Sequence, residues 1–397
     1  MNRRDFSKTV GAGVLGAGAS AIGASAVRAA TKIQTAPPKA KVSSAAESEK
    51  KQWAREHLKG LGSLVMPTFA PDFKSLDEEG IRQDVRHRIR QGFCETMVSA
   101  TGANAEQSKR VNEIVREEAQ GKMLISIIVG GDGDAAIASL ENAAKRGVSH
   151  ALLTFPGNLK PETEEEVYAH YRKVIDATSL PVLLYGVGVD SLRRFHPSGV
   201  PLNVFDRLAD HPSVVGMKLT QSMPAGLAYE ICDRLSNRLL MGLVNLDLVP
   251  AMGRHYKNVQ WSSQWITDSV QSPEKPYGVE LMTLVSKGRM TEAMKVYWQM
   301  QPLIDLIYDI QGRLLPTHPW QHMKYYQWVM GGNGGLLPLE GRGAGPALDA
   351  SARQRIRDTC KKVGIAADRP DEEFMVGRIA YAKGIKASDL SSKPHYV

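Results

Sequence analysis

Cysteine is scarce in this 397-residue chain, and the three present (Cys94, Cys232, Cys360) stand far apart. That spacing is no disulfide framework. Cys94 opens a predicted strand and Cys232 falls in a predicted helix, so both read as small core residues. No Gly-x-Gly-x-x-Gly opens a helix, which removes the fingerprint of a dinucleotide fold. The runs Gly331–Gly335 and Gly341–Gly345 lack the Gly-Lys-Ser/Thr ending of a phosphate loop and read as connectors. Gly130-Gly131-Asp132-Gly133-Asp134 is too short for a calcium loop. His318 and His322 have the spacing of a helical metal pair, but no third ligand is evident, so neither metal nor cofactor is expected. The Gly/Ala-rich stretch from Thr9 to Ala26 is too short and too rich in glycine for a good membrane span. A one-sided charge excess is missing as well. Residues 1–29 hold four basic side chains and one acid, so +5 of the formal +8 remains on the rest. Those basic residues are interleaved with acids, as at Glu113, Arg116, Glu117 and Glu118, which suits a solvated helical face rather than a nucleic-acid surface.

What is present begins with Asn2-Arg3-Arg4-Asp5-Phe6-Ser7-Lys8, followed by the weakly apolar stretch and by small residues around Val27-Arg28-Ala29. Paired arginines ahead of such a stretch read as a twin-arginine export signal over residues 1–29, an address read by the export machinery rather than an anchor. No cysteine lies near the expected cleavage point, so a lipid anchor is not expected. The mature protein is expected in the periplasm, folded before export. Residues 30–57 read as a flexible linker (30–45, rich in Ala, Pro, Lys and Ser) leading into a short polar helix over Ala46–Leu58.

From there, short apolar runs alternate with longer amphipathic ones. Strands are predicted at Ser63–Thr68, Glu95–Ser99, Met123–Val129, Ala151–Phe155, Val182–Tyr185, Val214–Leu219, Leu239–Val244 and Val259–Ser262. Helical patterns lie between them: Glu78–Arg90, Glu106–Ala119, Asp134–Lys145, Glu164–Ala177, Asn203–Asp210 and Ala225–Leu235; the seventh crossover, Leu246–Tyr256, is the poorest. Eight strands in this alternation indicate an α/β (β/α)8 TIM barrel over 58–275 rather than an open sheet. C-terminal helices follow over 276–365, within which Gly278–Gln311, His318–Met330 and Ser351–Val363 carry helical patterns, and a tail of uncertain structure spans 366–397. Met294, Trp298, Ile304 and Leu306 are core-type residues that imply burial, at a subunit interface where the chain's own core does not need them.

One residue breaks the apolar strand pattern. Lys218 sits in Val214-Val215-Gly216-Met217-Lys218-Leu219-Thr220, a run of the kind buried on both faces of a parallel sheet. Burial disfavours an ammonium, lowers its pKa and leaves an amine able to attack a ketone and form a Schiff base. A lysine at a strand end snorkelling to water is the inert alternative. A barrel places chemistry at the C-terminal ends of its strands. Here those ends carry Thr68, Ser99-Ala100-Thr101-Gly102, Val129-Gly130, Phe155-Pro156, Tyr185, Lys218-Leu219-Thr220, Asn245 and Ser262-Ser263. One amine, one phenol and several hydroxyls suit carbonyl chemistry, and no carboxylate–histidine cluster among them suits a metal.

This arrangement resembles the dihydrodipicolinate synthase / N-acetylneuraminate lyase family of class I aldolases over about residues 58–365. Val215-Gly216-Met217-Lys218 is similar to the family's Schiff-base strand, and Leu183-Leu184-Tyr185-Gly186-Val187 to the strand ending in its proton-relay tyrosine. Ser99-Ala100-Thr101-Gly102-Ala103 falls on its Gly-Thr-Thr-Gly-Glu loop, and Gly341-Arg342 lies near its late arginine. The resemblance implies a lyase in which Lys218 forms an imine with a 2-oxo acid such as pyruvate. Tyr185 would relay protons, and Thr101 with the Gly102 amide would hold the substrate carboxylate. It also implies a homodimer or homotetramer. Taken singly, Tyr185 is equally a core aromatic and Thr101-Gly102 an ordinary turn. Departures are clear. The first loop threonine is Ala100, leaving Ser99 as the substitute hydroxyl; the loop glutamate is Ala103; and the arginine position falls on Asp190, with Arg193 and Arg194 displaced. Gly157-Asn158 replaces tyrosines, and Leu219 follows the lysine. These argue against dihydrodipicolinate synthase itself, and keep open a non-catalytic barrel that binds a small carboxylate or altered Schiff-base chemistry using Ser99.

Overall fold

A computed structural model describes residues 48–220, 223–263, 266–311, 320–339 and 348–392. The expected export signal, the linker over 30–45, His318 and Gly341–Gly345 with Arg342 lie outside the described residues. Eight parallel strands are described: β1 (Gly60–Val65), β2 (Glu95–Val98), β3 (Leu124–Val129), β4 (His150–Leu153), β5 (Val182–Gly186), β6 (Val214–Leu219), β7 (Leu240–Leu243) and β8 (Trp261–Ser263). They pair in chain order, and β8 pairs back onto β1, closing the barrel. Helix α1 (Glu49–His57) precedes β1. Helices α2 (Glu78–Arg90), α3 (Ala105–Ala119), α4 (Gly133–Lys145), α5 (Glu164–Asp176), α6 (Leu202–Leu208), α7 (Ala225–Leu235) and α8 (Val249–His255) fill the crossovers. The expected (β/α)8 architecture is what forms, weak seventh crossover included.

Local chemistry starts these helices. Asp77 accepts from the Gly80 amide at 3.0 Å, Asp132 from Ala135 at 2.9 Å and Thr163 from Glu166 at 3.2 Å. Asn104 and Gln107 form a reciprocal capping box. Each satisfies amides that a helix N-terminus leaves unpaired. The Gly130–Asp134 run is thereby explained as the approach to α4.

The barrel is followed by α9 (Tyr277–Ser286), α10 (Met290–Gln311), α11 (Trp320–Val329), α12 (Ala350–Lys362), α13 (Asp371–Val376) and α14 (Arg378–Ala382). The helix expected over Gly278–Gln311 is therefore two. Gly288 at φ +70° adopts the left-handed conformation that ends one helix before the next begins. Burial of the apolar set on α10 is also only partly met: Ile304 and Leu306 lie in the chain's own core, whereas Trp298 is 62% exposed. The C-terminal tail packs: Phe374 is fully buried, and Glu373 accepts from the Trp328 indole at 3.1 Å and from Arg378 at 2.9 Å.

Helix α11 is fastened to the end of β1 by a buried ionic network. Arg88 donates to the carbonyls of Asp84 (2.8 Å) and Leu64 (2.9 Å) and lies 3.3 Å from the Asp84 carboxylate and 3.6 Å from Asp268. Lys324 of α11 donates to the Pro67 carbonyl and to Thr68 Oγ1 at 3.1 Å. Burial raises the Asp268 carboxyl to about 6, against the pull of Arg88. This anchoring holds the face of α11 that overhangs the barrel.

Candidate active site

Parallel register decides which side chains share the barrel interior. Tyr185 pairs with Lys218, Lys218 with Gly242, Gly62 with both Glu95 and Ser263, and Ser126 with His150. Paired residues of adjacent strands point to one side of the sheet, so this set faces inward with Lys218. The interior glycines supply room. A Cβ on Gly62 would overlap the Glu95 carboxylate, and one on Gly242 the Trp261 ring.

Lys218 is 3% exposed, and its Nζ lies 5.3 Å from the centroid of the Tyr185 ring. Burial pushes the ammonium down to about 7, with the Glu95 carboxylate pulling the other way. Near neutral pH the amine is then accessible in its uncharged form, the one that attacks a carbonyl. Burial raises the Tyr185 phenol above its usual range, and a hydrogen bond with the Thr220 side chain partly offsets this. The phenol is thus protonated, beside the amine and connected to a second hydroxyl.

A cavity of about 680 Å³ meets Lys218 and Tyr185, with Ser99, Ala100 and Ile128 from neighbouring strand ends and Trp320 and Met323 from α11 around it. Its lining includes residues from both faces of β3, Ile128 inward and Ile125 and Ile127 outward, so only part of that volume faces the amine. Ile128, 43% exposed, gives that part an apolar wall.

The expected carboxylate-binding loop is only partly assembled around this space. Ser99 Oγ and Thr101 Oγ1 are 2.5 Å apart, and the Thr101 amide donates to Ser99 Oγ at 3.2 Å. Thr101 and Gly102 do not line the cavity with Lys218; Ser99 does, and Thr101 reaches it through that hydroxyl contact. Gly102 sits at φ +76° in a turn packed against Pro338 and Phe69, as a strand-to-helix connection needs. The displaced arginines do not reach the cavity: Arg193 pairs with Asp190 at 2.9 Å and with the Pro197 carbonyl, and Arg194 with the Pro161 carbonyl. No cluster of three His, Cys, Asp or Glu side chains suited to a metal occurs among the described residues. The sequence reading had no role for Thr220, Trp320, Met323, Glu95 or His150. For Glu95 the signal was there, an acid in the strand Glu95-Thr96-Met97-Val98.

The model of the dihydrodipicolinate synthetase family matches residues 57–238, the stretch that carries both Tyr185 and Lys218. This stretch of the chain is similar to that family. A 4-hydroxy-tetrahydrodipicolinate synthase of Thermodesulfovibrio yellowstonii is 27% identical over 253 residues, covering 61% of this chain and 81% of the relative. One from Chlorobium phaeobacteroides is 31% identical over 139 residues, 34% of this chain and 46% of the relative. N-acetylneuraminate lyase 2 of Escherichia coli is 30% identical over 162 residues, 39% and 52% of the two chains. Against the last two, the chain spans about half the relative's length. Family-type folds appear among solved structures too. N-acetylneuraminate lyase from Fusobacterium nucleatum superposes with a TM-score of 0.61 at 17% identity, covering 77% of this chain and 99% of that one. Dihydrodipicolinate synthase from Thermotoga maritima also gives 0.61, at 19% identity over 78% and 99%.

Proposed function

We propose that this chain is an exported, Schiff-base-forming lyase, an aldolase or hydro-lyase acting on a 2-oxo acid such as pyruvate or a sugar-acid derivative. The observation that carries the reading is a buried amine with a pKa near 7, register-paired with a half-buried tyrosine on one cavity. The Lys218 lone pair attacks the ketone carbon, and the carbonyl oxygen takes up a proton to become a carbinolamine hydroxyl. Tyr185 protonates that hydroxyl, which leaves as water while the C=N bond forms. The cationic imine then draws in the electron pair of the C–C bond being cleaved or, for C–O cleavage, that of the adjacent C–H bond as its proton is removed, and the enamine so formed expels the protonated hydroxyl as water. Tyr185 regains its proton as the product departs, with Thr220 holding the phenol in place. The substrate carboxylate is assigned to Ser99 and the turn behind it, Thr101 with the Gly102 amide, as preorganised donors. The relatives' names support a 2-oxo-acid substrate, while Ala100, Ala103, Gly157-Asn158 and Leu219 weigh against lysine-precursor synthesis as the activity.

Borohydride trapping with pyruvate tests this. A reduced adduct on Lys218 is expected; bound pyruvate that is never reduced onto the protein sinks the lyase reading in favour of a small-carboxylate binder. Export rests on Arg3-Arg4 and the stretch behind them. Replacing both with lysine should leave precursor in the cytoplasm, and undisturbed export of that variant would count against it. The exposed Trp298 supports a homodimer or homotetramer.

A further inference from the structure

A second buried charge lies inside the barrel with Lys218. Glu95 faces inward from β2 and has no exposed surface. Its Oε2 lies 2.7 Å from His150 Nε2 on β4, its Oε1 accepts from the Trp261 indole of β8 at 3.1 Å, and the Ser263 hydroxyl also bonds to it. Gly62 leaves the space that this carboxylate occupies. Below it, Trp53 of α1 packs against the His150 ring at 6.0 Å, covering the imidazole from the N-terminal end of the barrel. Burying a carboxylate is costly unless donors surround it, and here two strands, β4 and β8, and a glycine are devoted to doing so. Burial alone would raise this carboxyl; His150, the Ser263 hydroxyl and the Lys218 ammonium outweigh it and hold Glu95 below its usual range, so it stays an anion. The charged or titratable groups facing it are His150 from β4 and Lys218 from β6, with the neighbouring Cys94 thiol pushed well up by burial and by Glu95 itself. Arg88, Asp84, Asp268 and Lys324 belong to the network around Leu64 and Pro67 and do not hydrogen-bond to Glu95.

A contact with His150 alone would explain a structural role. It would not explain an anion placed to act on the one amine of the cavity. We propose that Glu95 is a positioning residue for the amine chemistry, its clamped carboxylate serving as the fixed counter-charge for the cation that forms on Lys218. This rests on the Schiff-base reading. The imine is cationic where little water can solvate it, so a preorganised anion stabilises it without having to reorganise. His150, Trp261 and Ser263 keep that anion from collapsing onto the amine and blocking it.

The test reads the Lys218 protonation state without any substrate, by competitive labelling of the intact protein with trace acetic anhydride across pH, followed at Lys218 by mass spectrometry. Glu95→Gln keeps shape and removes charge; the labelling midpoint of Lys218 should fall by about one pH unit. The pyruvate adduct trapped at neutral pH should fall by about tenfold per pH unit of lost stabilisation. A purely structural Glu95 would lower the yield of folded protein and leave the midpoint where it was, and that result overturns the proposal. Absence of pyruvate trapping in the unmodified protein would defeat the lyase reading, while the labelling midpoint would still decide the Glu95–Lys218 coupling. If Glu95→Gln does not fold, Lys218→Met reads the same coupling from the other end, since coupling is reciprocal. Below the Lys218 value of about 7, loss of the cation should raise the Glu95 carboxyl and strengthen its protonated C=O infrared band. An unchanged band overturns the proposal as well.

Discussion

Two lysines of this protein are shut away from water, and burial pushes both ammonium groups down, Lys218 to about 7 and Lys324 to about 8. Their surroundings separate them. Lys324 donates to the Pro67 carbonyl and the Thr68 hydroxyl, with the carboxylates of Asp84 and Asp77 drawing its pKa up and Arg88 drawing it down. It ties α11 to the end of β1 and does not line the cavity. Lys218 lines the cavity beside a phenol, and the carboxylate that acts on it is already clamped by other donors. A depressed lysine pKa therefore marks burial; access to a cavity and to a proton donor marks chemistry.

Replacing each lysine is the sharpest way to break that contrast. Lys218→Met should abolish borohydride trapping with pyruvate in a folded protein. Lys324→Met should leave trapping per folded molecule intact but lower stability by about 2 kcal/mol, because it strands the buried Pro67 carbonyl and Thr68 hydroxyl that Lys324 satisfies. Denaturant midpoints and trapping yields, measured on both variants, check this; loss of trapping in folded Lys324→Met would erase the distinction.

The next effect concerns the phenol. Tyr185→Phe should slow imine formation by about a hundredfold or more, as expected for loss of a positioned proton donor. Thr220→Val should slow it by a smaller factor, with trapping still going to completion. Single-turnover trapping rates decide the order, and equal losses would mean that Thr220 does more than hold the phenol.

The pH dependence of stability should be smaller still. Both lysines have folded pKa values below the ordinary 10.5. From about pH 7 to 10.5 the unfolded chain therefore binds more protons than the folded one, and stability rises with pH across that window. Lys324→Met should flatten the part of the slope above about pH 8, and Lys218→Met the part from about pH 7. Melting temperatures across the window test the sign. The smallest effect is expected at the surface: Trp298→Ser should weaken self-association without altering trapping, as light scattering against concentration would show.

Much of the barrel was readable from the chain because the signals are local. Helices over Glu78–Arg90 and Ala225–Leu235 and the strand over Val214–Leu219 form at the bounds their periodicity indicates. The break at Gly288 was missed because apolar residues continue at helical spacing on both sides of it, and only the backbone angle reveals the turn. Lys218 and Tyr185 were visible as polar residues at apolar strand ends. Ser99 and Thr101 were visible too, but not that they would bond to each other, which leaves Ser99 alone at the cavity.

Alternation of apolar and amphipathic runs thus determined, without further information, that this chain makes a barrel and that it buries Lys218. Only tertiary structure decided what that amine meets. Glu95, His150 and Trp261 are separated by 55 residues and more along the chain, and they converge because β8 closes onto β1 and register turns all three inward. Trp320 and Met323 reach the cavity because a buried ionic network pins α11 over it. Periodicity is written over neighbouring residues, whereas the field at a buried amine is a sum over strands that touch only when the barrel shuts.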